Sequence, residues 1–167
     1  GGTAALLACT NWVSSEAWDG RWAIAVASDI ADSTRQYRFY NGAAAVATLV
    51  GTDAPLALEG PRTTHIVNAW DFYKPVGWSS MSPVMDGPLS MQVYYDAFAS
   101  CQSALESKAG VTFVDAHDHL VFHLGSSPKF VRHAFDQAIA AAHGEGAVSE
   151  AQIEERFQRL VVPSLRL

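Results

Sequence analysis

The sequence has 167 residues, of which 49% are hydrophobic and 17% are charged, and its formal net charge is −6. This composition predicts a folded, soluble domain, because its apolar runs fall well short of the roughly 20 residues that a membrane-spanning helix needs. Lys and Arg are scattered along the chain, which argues against a nucleic-acid-binding protein. Cys9 and Cys101 lack C-x-x-C spacing, so a reducing, intracellular compartment is expected.

The first half of the chain predicts a helix and two strands. Residues 3–14 are apolar almost all round, which is typical of a helix buried in the middle of a domain. The runs 22–29 and 43–51 are continuous and apolar, as in parallel or central strands. Residues 52–85 contain several prolines and predict a long irregular connection, which is often a functional segment.

A long amphipathic helix is predicted to begin at Asp86 or Gly87, because Pro88 follows at a position that favours a helix start. Its apolar residues recur every four positions at Leu89, Val93, Ala97, Cys101 and Leu105. This stripe is expected to face the core.

The remaining sequence alternates predicted strands and helices. Residues 119–124 predict a strand, and the helix that Pro128 opens is expected to end at Gly144. Ser149 and Gln152 form a capping box for a last helix, and Leu160–Leu167 predicts a further strand. This order predicts an α/β layered domain in which a mixed sheet carries helices on both faces.

The ends of the sequence are interpreted as cut from a longer chain. It opens with Gly-Gly-Thr-Ala-Ala, without an initiator Met or a basic leader, and it stops within the last predicted strand. No targeting segment can be read.

Several polar residues are candidates for chemistry by their position. His123 ends an apolar strand just before a turn into a helix, where α/β folds place ligand sites, and it could donate to an oxyanion or relay a proton. Asp29 follows a buried strand in the same way. The structural alternatives stay open, since His123 could be a hydrated strand end and Asp29 a turn former.

A metal site is a further hypothesis from spacing. On one continuous strand, Asp115, His117, His119 and His123 would all face the same way and could bind a metal. Residues 115–118 are too polar for a sheet interior, so an exposed loop is the favoured interpretation.

Two motifs resemble the hydroxymethylglutaryl-CoA synthase family. The run 65-HIVNAWDFYKP-75 is similar to the family's THxxxAYDFYKP segment, and 83-PVMDGPLS-90 is similar to its PxVDGKLS segment. The opening GGTAALLACTNWV, 18-WDGRWAIAVASDIA-31 and 121-VFH-123 also resemble family stretches, so the resemblance covers essentially the whole chain.

The resemblance implies a thiolase-like fold of two similar halves, incomplete here at both ends. We expect a single partial domain in which residues 1–106 form the end of the N-terminal half, with a long loop insertion, and 107–167 the start of the C-terminal half.

The function that the resemblance implies is the condensation of acetyl-CoA with acetoacetyl-CoA to hydroxymethylglutaryl-CoA and CoA, in the mevalonate pathway to isoprenoids and sterols. No cofactor is expected beyond the CoA thioester substrates. A homodimer is implied, and the cytoplasm is the expected compartment, with an organelle left open. The family's reactive cysteine would stand two residues before Gly1 and its glutamate further upstream, so the chain alone is expected to be inactive.

The resemblance also assigns roles to individual residues. His123 would position acetoacetyl-CoA, and Asp29 and Asp71 would support the acylation site. Contacts with substrate or CoA are implied for Ser90, His65, Lys129 and Tyr40.

Two departures from the family pattern support an alternative. Tyr40 replaces a ligand-contacting threonine, and the spacing from His123 to Lys129 is one residue longer than in the family. The alternative is a catalytically degenerate, CoA-binding paralogue, and the metal-binding domain is a more distant one.

Overall fold

The computed structural model describes residues 1–31, 39, 41–73, 77, 84–124 and 128–165. These residues form two compact units, one within Gly1–Glu59 and the other within residues 60–167. Over the described part of the chain, no helix is long and apolar enough to cross a membrane. The predicted division into thiolase-like halves at residue 106 stays a prediction.

The first unit consists of a helix and an antiparallel pair of strands. Helix α1 spans Gly2–Val13, and strands β1, Ala23–Ile30, and β2, Ala43–Val50, pair with Val26 opposite Ala47. Helix α1 approaches β1 closely, because a Cβ on Gly2 would lie 2.8 Å from the Cβ of Ala27. The predicted helix and both strands are therefore confirmed to within one or two residues.

The burial predicted for this unit was wrong. Helix α1, whose residues are all described, has no buried residue, and Ala25 is the single buried residue of β1. The other face of the strand pair carries Ile24, Val26 and Leu49, which are 57–62% exposed. An apolar sequence shows that a segment is suited to burial but not that other residues cover it. Among the described residues, α1 and the strand pair are only partly covered.

The second unit is mainly helical. Strands β3, Phe72–Tyr73, and β4, Val84–Met85, form a short antiparallel pair. Helices α2, Gly87–Ala109, α3, Pro128–His143, and α4, Glu150–Leu160, follow, and a 3₁₀ turn covers Val162–Leu165. The α/β character is confirmed, although each sheet of the described residues is an antiparallel pair and not a mixed sheet.

The core of the second unit lies between α3 and α4. Val131, Phe135 and Ile139 repeat at helical spacing along one face of α3 and are fully buried. Leu160 of α4 closes this core. Arg132 joins the two helices from outside, since its guanidinium pairs with carboxylates of both α3 and α4 and lies 5.4 Å from the Phe157 ring centroid.

The predicted helix boundaries are confirmed by their caps. Asp86 caps α2, because its Oδ1 accepts a hydrogen bond from the Leu89 backbone N–H at 3.1 Å, and such a cap contributes about 1 kcal/mol. Gly144, at which α3 was predicted to end, follows His143 with φ of 95°, in the left-handed region that glycine adopts without strain. The capping box of Ser149 and Gln152 opens α4 as predicted.

The predicted core stripe of α2 is half-buried over most of its length, since Val93, Ala97, Cys101 and Leu105 have intermediate exposure. Leu89 is 39% exposed, and the residues of α2 that face the core are Phe98 and Gln102. Gln102 is buried because its amide donates to Glu106 Oε1 and to the Ala138 backbone carbonyl. Gln102 lies beside the stripe and not within it, so a pattern of apolar residues could not show that this polar side chain is buried.

The strands predicted at 119–124 and Leu160–Leu167 were also wrong. Residues 119–124 form an irregular segment beside which the described residues place no strand. This segment is held at Leu120, whose N–H donates to the Leu160 carbonyl and whose carbonyl accepts from Ser164 Oγ. Pro163 fixes its own φ and lacks an N–H, which favours the 3₁₀ turn over a strand.

Candidate functional site

A cavity of about 280 Å³ in the second unit brings together two of the predicted site residues, Ser90 and His123. Ser90 lies in the first turn of α2, and its N–H donates to the Asp86 carbonyl at 2.8 Å. His123 comes from the irregular segment that leads to α3. The remaining lining residues are Met85, Gly87, Pro88, Met91, Tyr94 and Phe130.

The cavity is apolar, and its lining contains no charged side chain among the residues that the structure describes. The polar side-chain groups on its wall are the hydroxyls of Ser90 and Tyr94 and the imidazole of His123. A few polar groups on an apolar wall are typical of sites that bind organic ligands and fix their orientation. Of these groups, the imidazole is suited to proton transfer and to donating a hydrogen bond near neutral pH.

Tyr94 is a cavity residue that sequence reasoning missed. It lies one helical turn after Ser90, so both side chains share one side of α2. Its hydroxyl donates to the backbone carbonyl of His123 at 3.2 Å. Burial raises the pKa of Tyr94, with a further contribution from Tyr95, so the hydroxyl keeps the proton that it donates. The spacing of four from Ser90 was the signal that could have found it.

Asp71 is linked to the site through the backbone. Its carbonyl accepts a 2.7 Å hydrogen bond from the N–H of Asp86, the residue that caps α2. Asp71 directly precedes β3, whose partner β4 supplies Met85 to the cavity wall. The structure therefore places the backbone of Asp71 beside the start of the helix that carries Ser90. The Asp71 side chain is half-buried.

His65 lines a different cavity, of about 570 Å³, on the face of α2 that carries Leu89 and Val93. Trp70, Asp86 and Asp96 also line it. Because Ser90 lines the first cavity, the described residues do not bring His65 and Ser90 into one pocket. The predicted substrate contact of His65 stays a prediction.

The other predicted residues lie outside the first cavity or outside the description. Lys129 is exposed in the first turn of α3, directly before the wall residue Phe130. Asp29 belongs to the first unit, where it is exposed near the end of β1 and pairs with Ala44. Tyr40 lies outside the described residues.

The hypothetical metal cluster does not form on one strand. Asp115 pairs with Arg156, and His117 Nδ1 lies 2.8 Å from the Phe113 carbonyl. Within the described ranges, no group of three or more His, Cys, Asp or Glu side chains could hold a metal ion.

Two family models match this chain along most of its length. The model described as hydroxymethylglutaryl-coenzyme A synthase N terminal matches residues 1–55. The model described as hydroxymethylglutaryl-coenzyme A synthase C terminal matches residues 56–157 and thus contains the whole cavity lining.

Individual relatives agree with this match. The chain is 52% identical over 110 residues to the mitochondrial hydroxymethylglutaryl-CoA synthase of Sus scrofa, covering 65% of this chain and 22% of that protein. It is 51% identical over 110 residues to the cytoplasmic synthase of Gallus gallus, covering 65% of this chain and 21% of that protein. The chain thus spans about a fifth of the length of these relatives.

A solved structure supports the same fold. MvaS in complex with 3-hydroxy-3-methylglutaryl coenzyme A matches with a TM-score of 0.75 and 27% identity, covering 100% of this chain and 45% of that chain. The predicted thiolase-like α/β fold is thereby confirmed. This chain belongs to the hydroxymethylglutaryl-CoA synthase family.

Proposed function

We propose that this chain is the acetoacetyl-CoA-binding part of a hydroxymethylglutaryl-CoA synthase, an acyltransferase. The observation that carries the proposal is the apolar cavity in which Ser90 and His123 meet, since both stand at positions matched to the family's motifs. The reaction joins acetyl-CoA to acetoacetyl-CoA and supplies the mevalonate route to isoprenoids and sterols. The proposal needs no cofactor beyond the CoA thioesters.

The proposed reaction has three steps. A cysteine thiolate takes the acetyl group from acetyl-CoA and releases CoA. The family's glutamate would then take a proton from the acetyl methyl carbon, which adds to the ketone carbon of acetoacetyl-CoA, and the protonated glutamate would return a proton to the ketone oxygen to form the hydroxyl. Water then hydrolyses the enzyme thioester and frees the cysteine. The cysteine and the glutamate that the family uses as general acid and base are not among these 167 residues, because Cys9 and Cys101 do not match the family motif.

His123 would act on the ketone of acetoacetyl-CoA. When the new carbon–carbon bond forms, the ketone oxygen gains negative charge, and an imidazole N–H that donates to it stabilises the transition state. Ser90 would donate a second hydrogen bond to the ligand. The Met85, Met91 and Phe130 side chains offer an apolar wall that suits the acyl chain and the arm of CoA.

The other parts of the proposal rest on the resemblance. Lys129 would contact CoA, whose phosphates attract a cation, and Asp29 and Asp71 would support the acylation site. The protein would act as a homodimer. We place it in the cytoplasm, although the relatives include the mitochondrial protein of Sus scrofa and the cytoplasmic protein of Gallus gallus.

A second candidate is a non-catalytic, CoA-binding paralogue. Tyr40 at the position of the family's threonine and the longer segment from His123 to Lys129 favour it. Both candidates predict ligand binding in the cavity, and turnover separates them.

The binding prediction can be measured on the chain itself. We expect acetoacetyl-CoA to shift the NMR resonances of Ser90, Met91 and His123 in a saturable titration. Ser90→Ala is expected to weaken binding by about three- to tenfold, which is the size of one hydrogen bond of about 0.5–1.5 kcal/mol. The matched control is Ser107→Ala, because Ser107 is exposed near the other end of the same helix.

The titration has two results that would contradict the proposal. One is saturable binding that leaves the cavity resonances unmoved. The other is an equal loss of affinity in Ser90→Ala and Ser107→Ala.

A further inference from the structure

Within the described part of the chain, the segment that carries His123 is connected to the rest of the second unit at Leu120 and Phe122. Leu120 is fixed through its backbone to Leu160 and Ser164, and Phe122 packs against Phe98 with ring centroids 5.3 Å apart. His123 itself is exposed, and the structure places no regular strand beside the described residues 119–124. The position of its imidazole therefore depends on what holds the peptide group of residue 123.

Among the described residues, Tyr94 contacts this peptide group. Its hydroxyl donates to the His123 carbonyl at 3.2 Å, and its ring centroid lies 6.4 Å from that of the imidazole. Tyr94 is on a capped helix, one turn from Ser90, and its ring is half-buried. Because a helix positions its side chains more precisely than a loop does, this hydrogen bond ties the irregular backbone at His123 to a helical position.

We propose that Tyr94 is a positioning residue, which fixes His123 in register with Ser90 so that both can contact the acyl end of a β-ketoacyl thioester. This inference deepens the proposed function and rests on it. Tyr94 acts through the His123 backbone. Its hydroxyl proton is donated to the His123 carbonyl, so the inference requires no contact between Tyr94 and the ligand.

The test separates positioning from direct contact by a double-mutant cycle. Tyr94→Phe removes the hydroxyl and keeps the ring, and we expect the affinity of the 167-residue chain for acetoacetyl-CoA to fall by roughly three- to tenfold. In the His123→Ala background, the same substitution is expected to change affinity by less than about twofold, because the group that Tyr94 positions is gone. If Tyr94→Phe lowers affinity equally in the wild-type chain and in the His123→Ala chain, Tyr94 contacts the ligand directly and the inference is overturned.

The matched control is Tyr95→Phe. Tyr95 is the next residue on α2, and its ring packs against His133, with centroids 4.6 Å apart, instead of against His123. We expect Tyr95→Phe to keep wild-type affinity, whereas an equal effect of the two substitutions would mean a general disturbance of α2 and would refute the positioning role.

A ligand-free measurement distinguishes failure of the inference from failure of the proposed function. In the NMR spectrum of the chain without ligand, Tyr94→Phe is expected to move the backbone and imidazole resonances of His123 more than Tyr95→Phe does. If the wild-type chain does not bind acetoacetyl-CoA, the proposed function is contradicted. The shifts of the His123 resonances would still test the positioning role of Tyr94. Unmoved His123 resonances in Tyr94→Phe would overturn it.

Discussion

Replacing His123 with alanine is expected to lower kcat by about 10²–10³-fold, the usual loss when one donor to a developing oxyanion is removed. His123 lines the apolar cavity together with Ser90, and no charged side chain among the lining residues could take its place. The rate should be measured in a chimera in which this chain replaces the corresponding segment of the Sus scrofa mitochondrial synthase. The assay follows the acetyl-CoA-dependent loss of acetoacetyl-CoA.

The matched control for this substitution is His117→Ala. His117 is also an exposed histidine of the second unit, but its ring hydrogen-bonds the Phe113 carbonyl and does not line the cavity. We expect His117→Ala to keep kcat within about twofold of the unsubstituted chimera, a change worth only about 0.4 kcal/mol. A chimera that retains its kcat after His123→Ala would remove the proposed role of His123.

Among the substitutions described here, Phe135→Ala should lower the free energy of unfolding of the second unit most. Phe135 is completely buried at the centre of α3, and its ring centroid lies 5.5 Å from that of Phe157 in α4. Removing such a ring costs about 3–5 kcal/mol, because transfer free energy is lost and the cavity collapses only in part. Native-state hydrogen exchange of the α3 amides measures this free energy of unfolding directly for the second unit.

Phe39→Ala is the control for the loss of an aromatic side chain. Phe39 is 92% exposed, so its removal creates no cavity and should leave exchange in α3 unchanged. If Phe135→Ala changed the exchange of α3 by less than about 1 kcal/mol, the core assigned to α3 and α4 would be incorrect, since even small buried deletions reach that size.

Local signals in the sequence were sufficient to predict where the helices begin and end. Asp86 with Pro88, Gly144, and the Ser149 and Gln152 pair each mark a helix end through a hydrogen bond or a backbone preference that lies within a few residues. Strand pairing depends on residues far apart in the chain. For this reason 119–124 has the composition of a strand but is irregular among the described residues, where no partner strand lies beside it.

The site was predictable only in part. His123 was proposed from its position before a turn and then from the resemblance, and Ser90 from the resemblance alone. Nothing in their spacing showed that they would share a cavity. Tyr94 was missed although its spacing of four from Ser90 places it on the same side of α2, and its hydrogen bond to the His123 carbonyl is visible only in the structure. His65, which the resemblance also named, lies on the wall of another cavity beside α2, and its predicted substrate contact stays a prediction.

The central claim is that this chain is a working part of a hydroxymethylglutaryl-CoA synthase, and turnover by the chimera tests it most directly. Because the relative would supply the cysteine and the glutamate, activity depends on whether these 167 residues provide a functional site. We predict acetyl-CoA-dependent consumption of acetoacetyl-CoA with formation of hydroxymethylglutaryl-CoA. A folded chimera that binds acetoacetyl-CoA but forms no product would contradict the claim and would favour the non-catalytic paralogue.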